Sequence, residues 1–357
     1  MSRHQVLNSN QTKEWNSYLE IIGNGRTDIY FAPEYYRIYE DYNDGEAKCF
    51  VFEYQGETAI YPFLMNQIND LGYTLDSTYF DIQGAYGYNG IISTTEEPEF
   101  FTNFYKTFGG YCINHNIIAE FTRFHPLIGN HKYSEKHLNI IPDRFTVQLN
   151  LDKPDQDIWQ SEYSSVNRNM IRKAEKIGVK IRVGSNEADY DSFQEMYKTT
   201  MSNLTADGYY YFDKKYFTNF RSLLSDRQVL LLAQLDDKIV AGALFMYDSY
   251  YAHYHLSARD NKYGNIPATN LLLHHAIRLA REKGCKKFHF GGGTTSDSGD
   301  LLLRFKKNFS KTLTSFCIGK KIHNSGMYNV VVQQWKERYP EISNQYDQLL
   351  LKYRYLR

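Results

Sequence analysis

Apolar and polar positions along the chain fall into two blocks that repeat one order of elements. Around Phe50 the run Cys49-Phe-Val-Phe-Glu-Tyr-Gln-Gly-Glu-Thr-Ala-Ile-Tyr-Pro-Phe-Leu-Met65 predicts an apolar strand, a turn at Gln55-Gly56 and a second apolar strand. Around Leu231 the run Val229-Leu-Leu-Leu-Ala-Gln-Leu-Asp-Asp-Lys-Ile-Val-Ala-Gly-Ala-Leu-Phe-Met246 predicts the same hairpin, turning at Asp236-Asp237.

The elements after each hairpin correspond in order. The first hairpin leads into an aromatic strand region ending at Phe80 and a turn-rich stretch, Tyr86-Gly-Tyr-Asn-Gly90. A helix comes next, announced by a capping-box pair, Thr94 and Glu97. It carries Phe101, Phe104, Tyr105, Phe108 and Cys112 at helical spacing, and a strand over 117–124 closes the block. The second hairpin leads into a strand over 250–256 and a helix announced by Asn265 and Pro267. That helix carries Leu272, Ala276, Leu279 and Ala280, stops at Gly284 and leads to a strand over 286–290. Each block adds one more strand, over 145–151 and 313–318. The two turns lie about 180 residues apart, which marks a duplicated domain rather than a short-period solenoid. The expected architecture is mixed α/β, in two tandem domains covering residues 1–148 and 149–321. Two short helices around Pro340, within 322–357, are expected to pack back on the first domain.

Composition narrows the partners. The chain has 357 residues with 41 Lys plus Arg against 41 Asp plus Glu, so no global field draws it to DNA, and any polyanion must be held by a local patch. Four scattered cysteines, Cys49, Cys112, Cys285 and Cys317, form no zinc-ribbon or dithiol pair. No apolar run approaches the ~18 residues of a membrane span, and no signal peptide opens the chain, so a cytoplasmic protein without an integral membrane segment is expected. The 32 Tyr and 22 Phe leave two explanations open: clefts that stack on ligands, or an aromatic core.

Two segments carry more specific information. From Val166 to Arg182 there are six basic residues against one acid, and Arg168, Arg172 and Lys176 share a helical stripe suited to a phosphate-bearing partner. From Phe288 the chain runs Phe-His-Phe-Gly-Gly-Gly-Thr-Thr-Ser-Asp-Ser-Gly-Asp-Leu-Leu-Leu-Arg-Phe-Lys-Lys-Asn-Phe309, a strand ending in three glycines and then a Phe-Lys pair. Together with Tyr209-Tyr-Tyr-Phe212, Tyr254-His-Leu-Ser257 and Glu120-Phe-Thr-Arg-Phe-His-Pro-Leu127, these segments resemble the Fem family of peptidoglycan bridge-forming aminoacyltransferases. The resemblance implies two GNAT-like domains without a coiled-coil insertion. It also implies transfer of an aminoacyl or acyl group to an amino group of a cell-wall or surface-polysaccharide precursor. An acetyl-CoA-dependent N-acetyltransferase acting on an amino sugar is the alternative within that class, and a silent glycan- or peptide-binding protein is the alternative outside it. No tightly bound cofactor is implied: aminoacyl-tRNA or acyl-CoA serves as donor co-substrate, and a nucleotide-linked or lipid-linked sugar or muropeptide as acceptor.

Amine acylation needs a fixed cation or donor for the charge that develops on the carbonyl oxygen. Lys306 aligns with the Lys of the family's Phe-Lys element and is the candidate for that role, a solvated lysine being the plain alternative. Phe305 would wall the acyl pocket or fill the core. Tyr211 and Tyr254 are candidates for hydrogen bonds to either substrate. Asp297 and Asp300 could take the amine's proton, although aspartates in such loops commonly cap turns and helices. Arg168, Arg172 and Lys173 are candidate contacts to phosphates of a nucleotide-linked acceptor or of tRNA. Arg123 and His125, with Tyr86 and Tyr88, would line a groove between the domains or form a buried network. Arg259, Gly264 and Asn265 occupy the loop that would meet the pyrophosphate of acyl-CoA, but the spacing departs from the Gly-rich form. His253 and His255 stand without a third ligand at metal spacing, and the glycines at Gly291 are followed by neither a Walker lysine nor a dinucleotide-binding turn.

Overall fold

A computed structural model describes residues 2–356, and the described chain divides into two compact units. Unit 1 holds the residues up to Asp143 together with those from Phe316 onward, and unit 2 runs Arg144–Ser315.

In unit 1, β1 (Arg3–Asn8) pairs antiparallel with β2 (Glu46–Tyr54), and β2 with β3 (Glu57–Gln67). Beyond β3 lies β4 (Phe80–Gln83), which pairs parallel with β6 (Ile117–Arg123), while the short β5 (Ile92–Ser93) pairs with β3. The far side of β6 pairs antiparallel with Ile318–Ile322 of the last strand, β13 (Thr312–Ile322). The crossover between β4 and β6 is the helix Pro98–Asn114, which buries Phe100, Phe104, Phe108 and Cys112. Phe50 meets the rings of Phe104 and Phe108 edge-on at 5.6 and 5.0 Å, the geometry aromatic quadrupoles favour. Much of the aromatic content is therefore core: Tyr35, Tyr36, Tyr39, Tyr61, Tyr197, Tyr216, Tyr251 and Tyr353 are all fully buried.

The capping-box expectation for this helix is corrected. Thr94 accepts from the Thr58 backbone N–H and bonds Glu57, so its hydroxyl serves the edge of β3. The helix instead starts at Pro98, whose ring holds Glu97 extended and fits the first turn, with no side-chain cap. At the C-terminus, helices Ser325–Arg338 and Pro340–Tyr346 flank Pro340 as expected from the sequence. Trp335, Val331 and Tyr353 pack on Ile68, Tyr73 and Ile118 of the same unit. Arg354 Nε donates to both oxygens of buried Asp81, and Tyr353 Oη donates to one of them at 2.8 Å.

Unit 2 repeats the order. Strand β8 (Lys180–Gly184) pairs antiparallel with β9 (Gln228–Leu235), β9 with β10 (Lys238–Tyr247), and β10 with β11 (Tyr251–Arg259). Strand β11 then pairs parallel with β12 (Lys287–Gly292), and β12 antiparallel with residues 146–150 of β7 (Asn139–Asn150). Alternation along the strands sorts the side chains between two covered faces. Val229, Leu231, Ala241, Ala243 and Phe245 share a core with Leu272 and Ala276 of the helix Ala268–Glu282 and with Ile171 of the helix Ser165–Ile177. On the opposite face Gly242 makes room for Phe193 of the helix Glu187–Asn203, since a Cβ there would stand 2.8 Å from the Phe193 ring. Ahead of each hairpin the structure adds elements that the apolar pattern did not announce: one strand and two helices, Thr12–Ile22 and Pro33–Asp41 in unit 1, Glu187–Asn203 and Lys214–Leu224 in unit 2.

Both hairpins turn in two residues with positive φ, the form that matches strand twist. Gln55 and Gly56 have φ of 53° and 86°, and Asp236 and Asp237 have 47° and 62°. Gly56→Ala is expected to lower stability by about 1 kcal/mol, and Asp237→Gly to raise it by roughly half that, read as opposite shifts of the urea midpoint. Shifts of the same sign would contradict this account of the turns.

Candidate active site

The site is built where two parallel strands part. Pairing of β11 with β12 spans three residue pairs, Tyr251–His253 against Lys287–His289, and among the described residues it goes no further. Beyond that point β11 continues against β10 with a bulge opposite Leu244 and Phe245, and β12 continues against β7 with another after His289. Bulges re-aim side chains, and here they open a wedge between neighbours that began hydrogen-bonded.

Lys306 enters at this parting from the helix Leu301–Lys307. It is buried, with 7% of its surface exposed, and its Nζ donates to the Gly292 carbonyl at 2.6 Å and lies 5.9 Å from the centre of the Tyr254 ring. Burial drives its pKa down to about 7, and the negative charge of Asp300 opposes that shift only in part. The glycines supply the space. Gly291 has φ +77°, and a Cβ on it would stand 3.2 Å from Lys306 Nζ; a Cβ on Gly293 would stand 2.4 Å from Asp300 Oδ1.

Asp300 is the cap of the lysine's helix. Its Oδ1 accepts from Leu303 N at 2.9 Å, and its Oδ2 accepts from the backbone N–H and hydroxyl of both Thr294 and Thr295 at 2.7–3.2 Å. Burial works to raise this carboxyl, but the donors from Thr294, Leu303 and Thr295 outweigh it and hold Asp300 well below the usual carboxylate range. A carboxylate so fully engaged is a poor proton acceptor, so Asp300 shapes the loop rather than serving as the base. Asp297 is exposed in the same loop, where Oδ1 accepts from Gly299 N at 2.7 Å. Arg144 Nη1 ties the loop down by donating to the Gly293 and Thr294 carbonyls. Phe305 packs on the core and meets Phe309 edge-on at 5.7 Å. Tyr254 stacks on Phe245 at 5.6 Å, and burial raises its pKa to about 12 against a hydrogen bond from Ser257.

The other candidates lie on separate elements. Tyr211 is half-buried after the 3-10 turn Gly208–Tyr210. Arg259 is exposed at the end of β11, and Gly264 and Asn265 follow the 3-10 turn Asn261–Tyr263 in front of the helix Ala268–Glu282. Gly264 has ordinary helical φ and closes that turn through its N–H to Asn261 O, so the loop is no glycine-demanding cradle. Arg168 Nη1 donates to the carbonyls of Trp159, Gln160 and Tyr163, which occupies it in holding the preceding turn. Arg172 and Lys173 are exposed, with Arg172 lying 5.3 Å over the Trp159 ring.

In unit 1 the corresponding parting of β4 and β6 is filled by its own side chains. Asn89 continues the pairing through a bridge to Phe124 and accepts from Arg123 N, and Arg123 Nη2 donates to the carbonyls of Gly84 and Ala85. His125 is fully buried, with Nε2 2.5 Å from Asp28 Oδ2 and Nδ1 accepting from Ile128 N. Tyr88 packs on Tyr30 and His125, and the Tyr86 carbonyl accepts from Tyr35 Oη. Of these four residues His125 is buried, and Tyr86, Tyr88 and Arg123 are half-buried around it. Thr294, Thr295 and Arg144 were not among the residues singled out from sequence; the Thr pair six and five residues before an N-cap aspartate was the available signal, whereas nothing local marks Arg144.

Residues 162–307 match the family described as acetyltransferase (GNAT) domain. The sequence matches no curated protein. The fold is similar to that of FemX, with 15% identity and a TM-score of 0.68 over 92% of this chain and 99% of that one. It is also similar to L-PGS from Bacillus licheniformis, with 13% identity and a TM-score of 0.55 over 89% and 94% of the two chains. A tandem GNAT protein from the clavulanic acid biosynthesis pathway gives 9% identity and a TM-score of 0.51 over 91% and 99%. The chain thus has the fold of two tandem GNAT-like domains, and with the matched domain in unit 2 it is an acyltransferase. No helix among the described residues is long and apolar enough to cross a membrane.

Because burial disfavours the charged form, Lys306 weakens the fold wherever the unfolded chain binds a proton that the folded chain resists. That deficit grows as pH falls from about 10.5 to about 7 and is complete below 7. Lys306→Met is therefore expected to melt several degrees higher than the parent at pH 7, with the difference vanishing near pH 10.5. A lower melting temperature for Lys306→Met at pH 7 would contradict the burial argument. Gly293→Ala, which forces a Cβ against Asp300, is expected to lower the melting temperature instead.

Proposed function

We propose that this protein is an N-acyltransferase that moves an aminoacyl group from aminoacyl-tRNA to an amino group of a nucleotide-linked or lipid-linked cell-wall or surface-polysaccharide precursor. The observation that carries the reading is Lys306: a buried amine anchored on one backbone carbonyl where β11 and β12 part, in a domain of acetyltransferase type. The similarity of the whole fold to FemX supports the aminoacyl form of the reaction.

In the proposed reaction a neutral acceptor amine attacks the ester carbonyl of the donor. The new C–N bond forms, negative charge gathers on the carbonyl oxygen, and collapse breaks the ester C–O bond. The amine's proton leaves through water to the departing hydroxyl. Charged Lys306 spends one N–H on Gly292 O and keeps two for the developing oxyanion, in a site where low polarity strengthens each contact. Phe305 and Tyr254 wall the acyl group, and Asp300 with Thr294 and Thr295 fixes the helix that aims the lysine. A base from the protein is not required.

A second reading, an acetyl-CoA-dependent N-acetyltransferase acting on an amino sugar, is favoured by the acetyltransferase description of residues 162–307. There the C–S bond of a thioester breaks in place of the ester bond, and Lys306 keeps its role.

The test incubates the protein with charged tRNA or acetyl-CoA and with nucleotide-linked muropeptide or amino-sugar acceptors, reading product mass and rate. Lys306→Ala is expected to lower kcat by about 100-fold or more with little change in KM. With the oxyanion role, turnover is expected to fall as pH rises through the Lys306 pKa, and Lys306→Arg is expected to move that limb to higher pH. Undiminished turnover in Lys306→Ala would remove the mechanism.

A further inference from the structure

Unit 2 carries a second cleft that the acyl-transfer chemistry does not use. It has a volume of about 460 Å³, within the range of small-molecule sites, and lies where the turn before the helix Ser165–Ile177 meets that helix and Ala268–Glu282. Its floor is apolar and aromatic: buried Ile158, Ile277 and the rings of Trp159 and His274, whose centroids are 5.4 Å apart. Its rim carries Arg172 and Arg278.

The imidazole is held neutral. Burial brings His274 down to about 4, helped by neighbouring His275 and Arg278, and its Nδ1 lies 3.2 Å from Tyr163 Oη. Two carboxylates also border the cleft, but Asp155 is ion-paired with Arg281, which leaves Glu175 against the guanidiniums of Arg172 and Arg278. Beside them Lys173 and Lys176 stand exposed on the outer face of the same helix. The cleft therefore joins two aromatic rings tilted 59° to one another, with a guanidinium lying 5.3 Å over the indole, to a rim of positive charge. That pairing suits a planar aromatic group with an attached anion.

We infer that this cleft is a nucleotide-binding site. The base stacks on the Trp159 ring with the tilted His274 ring at its edge, the phosphates lie on Arg172 and Arg278, and Glu175 accepts from a ribose hydroxyl or an exocyclic amine. A nucleotide-linked substrate and the single-stranded end of an RNA present the same chemistry, so either can be the source. The inference does not rest on the reaction proposed above: the cleft contains no part of the Lys306 site and is read by binding, not by turnover.

Trp159 makes the test direct. The chain has three tryptophans; Trp15 and Trp335 are fully buried in unit 1, and Trp159 is part-exposed in the cleft. UDP, AMP and a single-stranded RNA tetranucleotide are titrated in turn, with tryptophan fluorescence and calorimetry as paired readouts. At least one is expected to quench Trp159 and to bind, with affinity falling as salt rises. Arg172→Ala and Arg278→Ala are each expected to weaken that binding about tenfold, and Trp159→Phe to abolish the fluorescence response while heat of binding persists. Melting temperatures within a few degrees of the parent certify that the variants are folded. Binding by mononucleotides identifies a nucleotide-linked source, and binding by the tetranucleotide alone identifies RNA. Absence of binding by all three at millimolar concentration, or binding that both arginine variants retain in full, would overturn the inference.

Discussion

The structure of unit 2 turns on one unfavourable act, the burial of an amine. Removing Lys306 from water disfavours its charged form, and the surroundings compensate in a limited way: one backbone carbonyl, the face of one tyrosine, and the field of a capping carboxylate. The shape of the loop is set by this demand. Gly291 adopts a positive φ that a side chain would strain and leaves room beside Nζ, and Asp300 can sit under the glycines because Gly293 lacks a Cβ. Thr294 and Thr295 then hold Asp300 ionised, which both caps the helix carrying the lysine and keeps a negative charge near it. Had the Asp300 lone pairs been free, the loop would have lost its organiser.

The duplication places the same strand order in both units. Both units bring a parallel pair of strands to a point where pairing ends, because the hairpin, strand, helix and strand order imposes a crossover at the same place. In unit 1 Asn89 extends the pairing and Arg123 caps the carbonyls of buried Gly84 and Ala85, so polar backbone is satisfied internally. In unit 2 the carbonyl met by a side chain lies on the other strand of the pair, at Gly292 in the last residue of β12, where Lys306 donates to it. A strand-end carbonyl is thus met by a guanidinium after β4 in one unit and by a buried amine at the end of β12 in the other. Unit 1 spends its other buried ionisable groups in the same manner, Asp81 on Tyr353 and Arg354, and Glu120 on Tyr61 and His323.

Much of this was legible in the sequence because the signals were local. The two hairpins, the crossover helices and the helices around Pro340 are set by apolar periodicity and by Gly and Pro, which act over a few residues. The Lys306 element was legible through the glycine run and the Phe-Lys pair. For Asp300 the sequence favoured a cap over a base, but nothing in the order of residues says that two threonines fold back on its oxygens. The strands and helices ahead of each hairpin escaped because their apolar positions are interrupted, as in Thr12–Ile22, where burial is confined to Trp15, Tyr18 and Ile22. Trp159 and His274 are brought together from turn and helix more than a hundred residues apart, and no pattern along the chain could join them.

The central claim is that Lys306 is a buried, easily deprotonated amine held by the end of β12. Selective labelling of lysine Cε and Nζ, followed by NMR titration with Lys306→Met used to assign the resonance, measures it directly. One lysine is predicted to titrate near pH 7, separated from the other lysines, and to move toward them in Gly293→Ala as the loop opens to water. A Lys306 resonance that titrates with the surface lysines near 10.5 would mean an amine in contact with solvent, and the claim would fail.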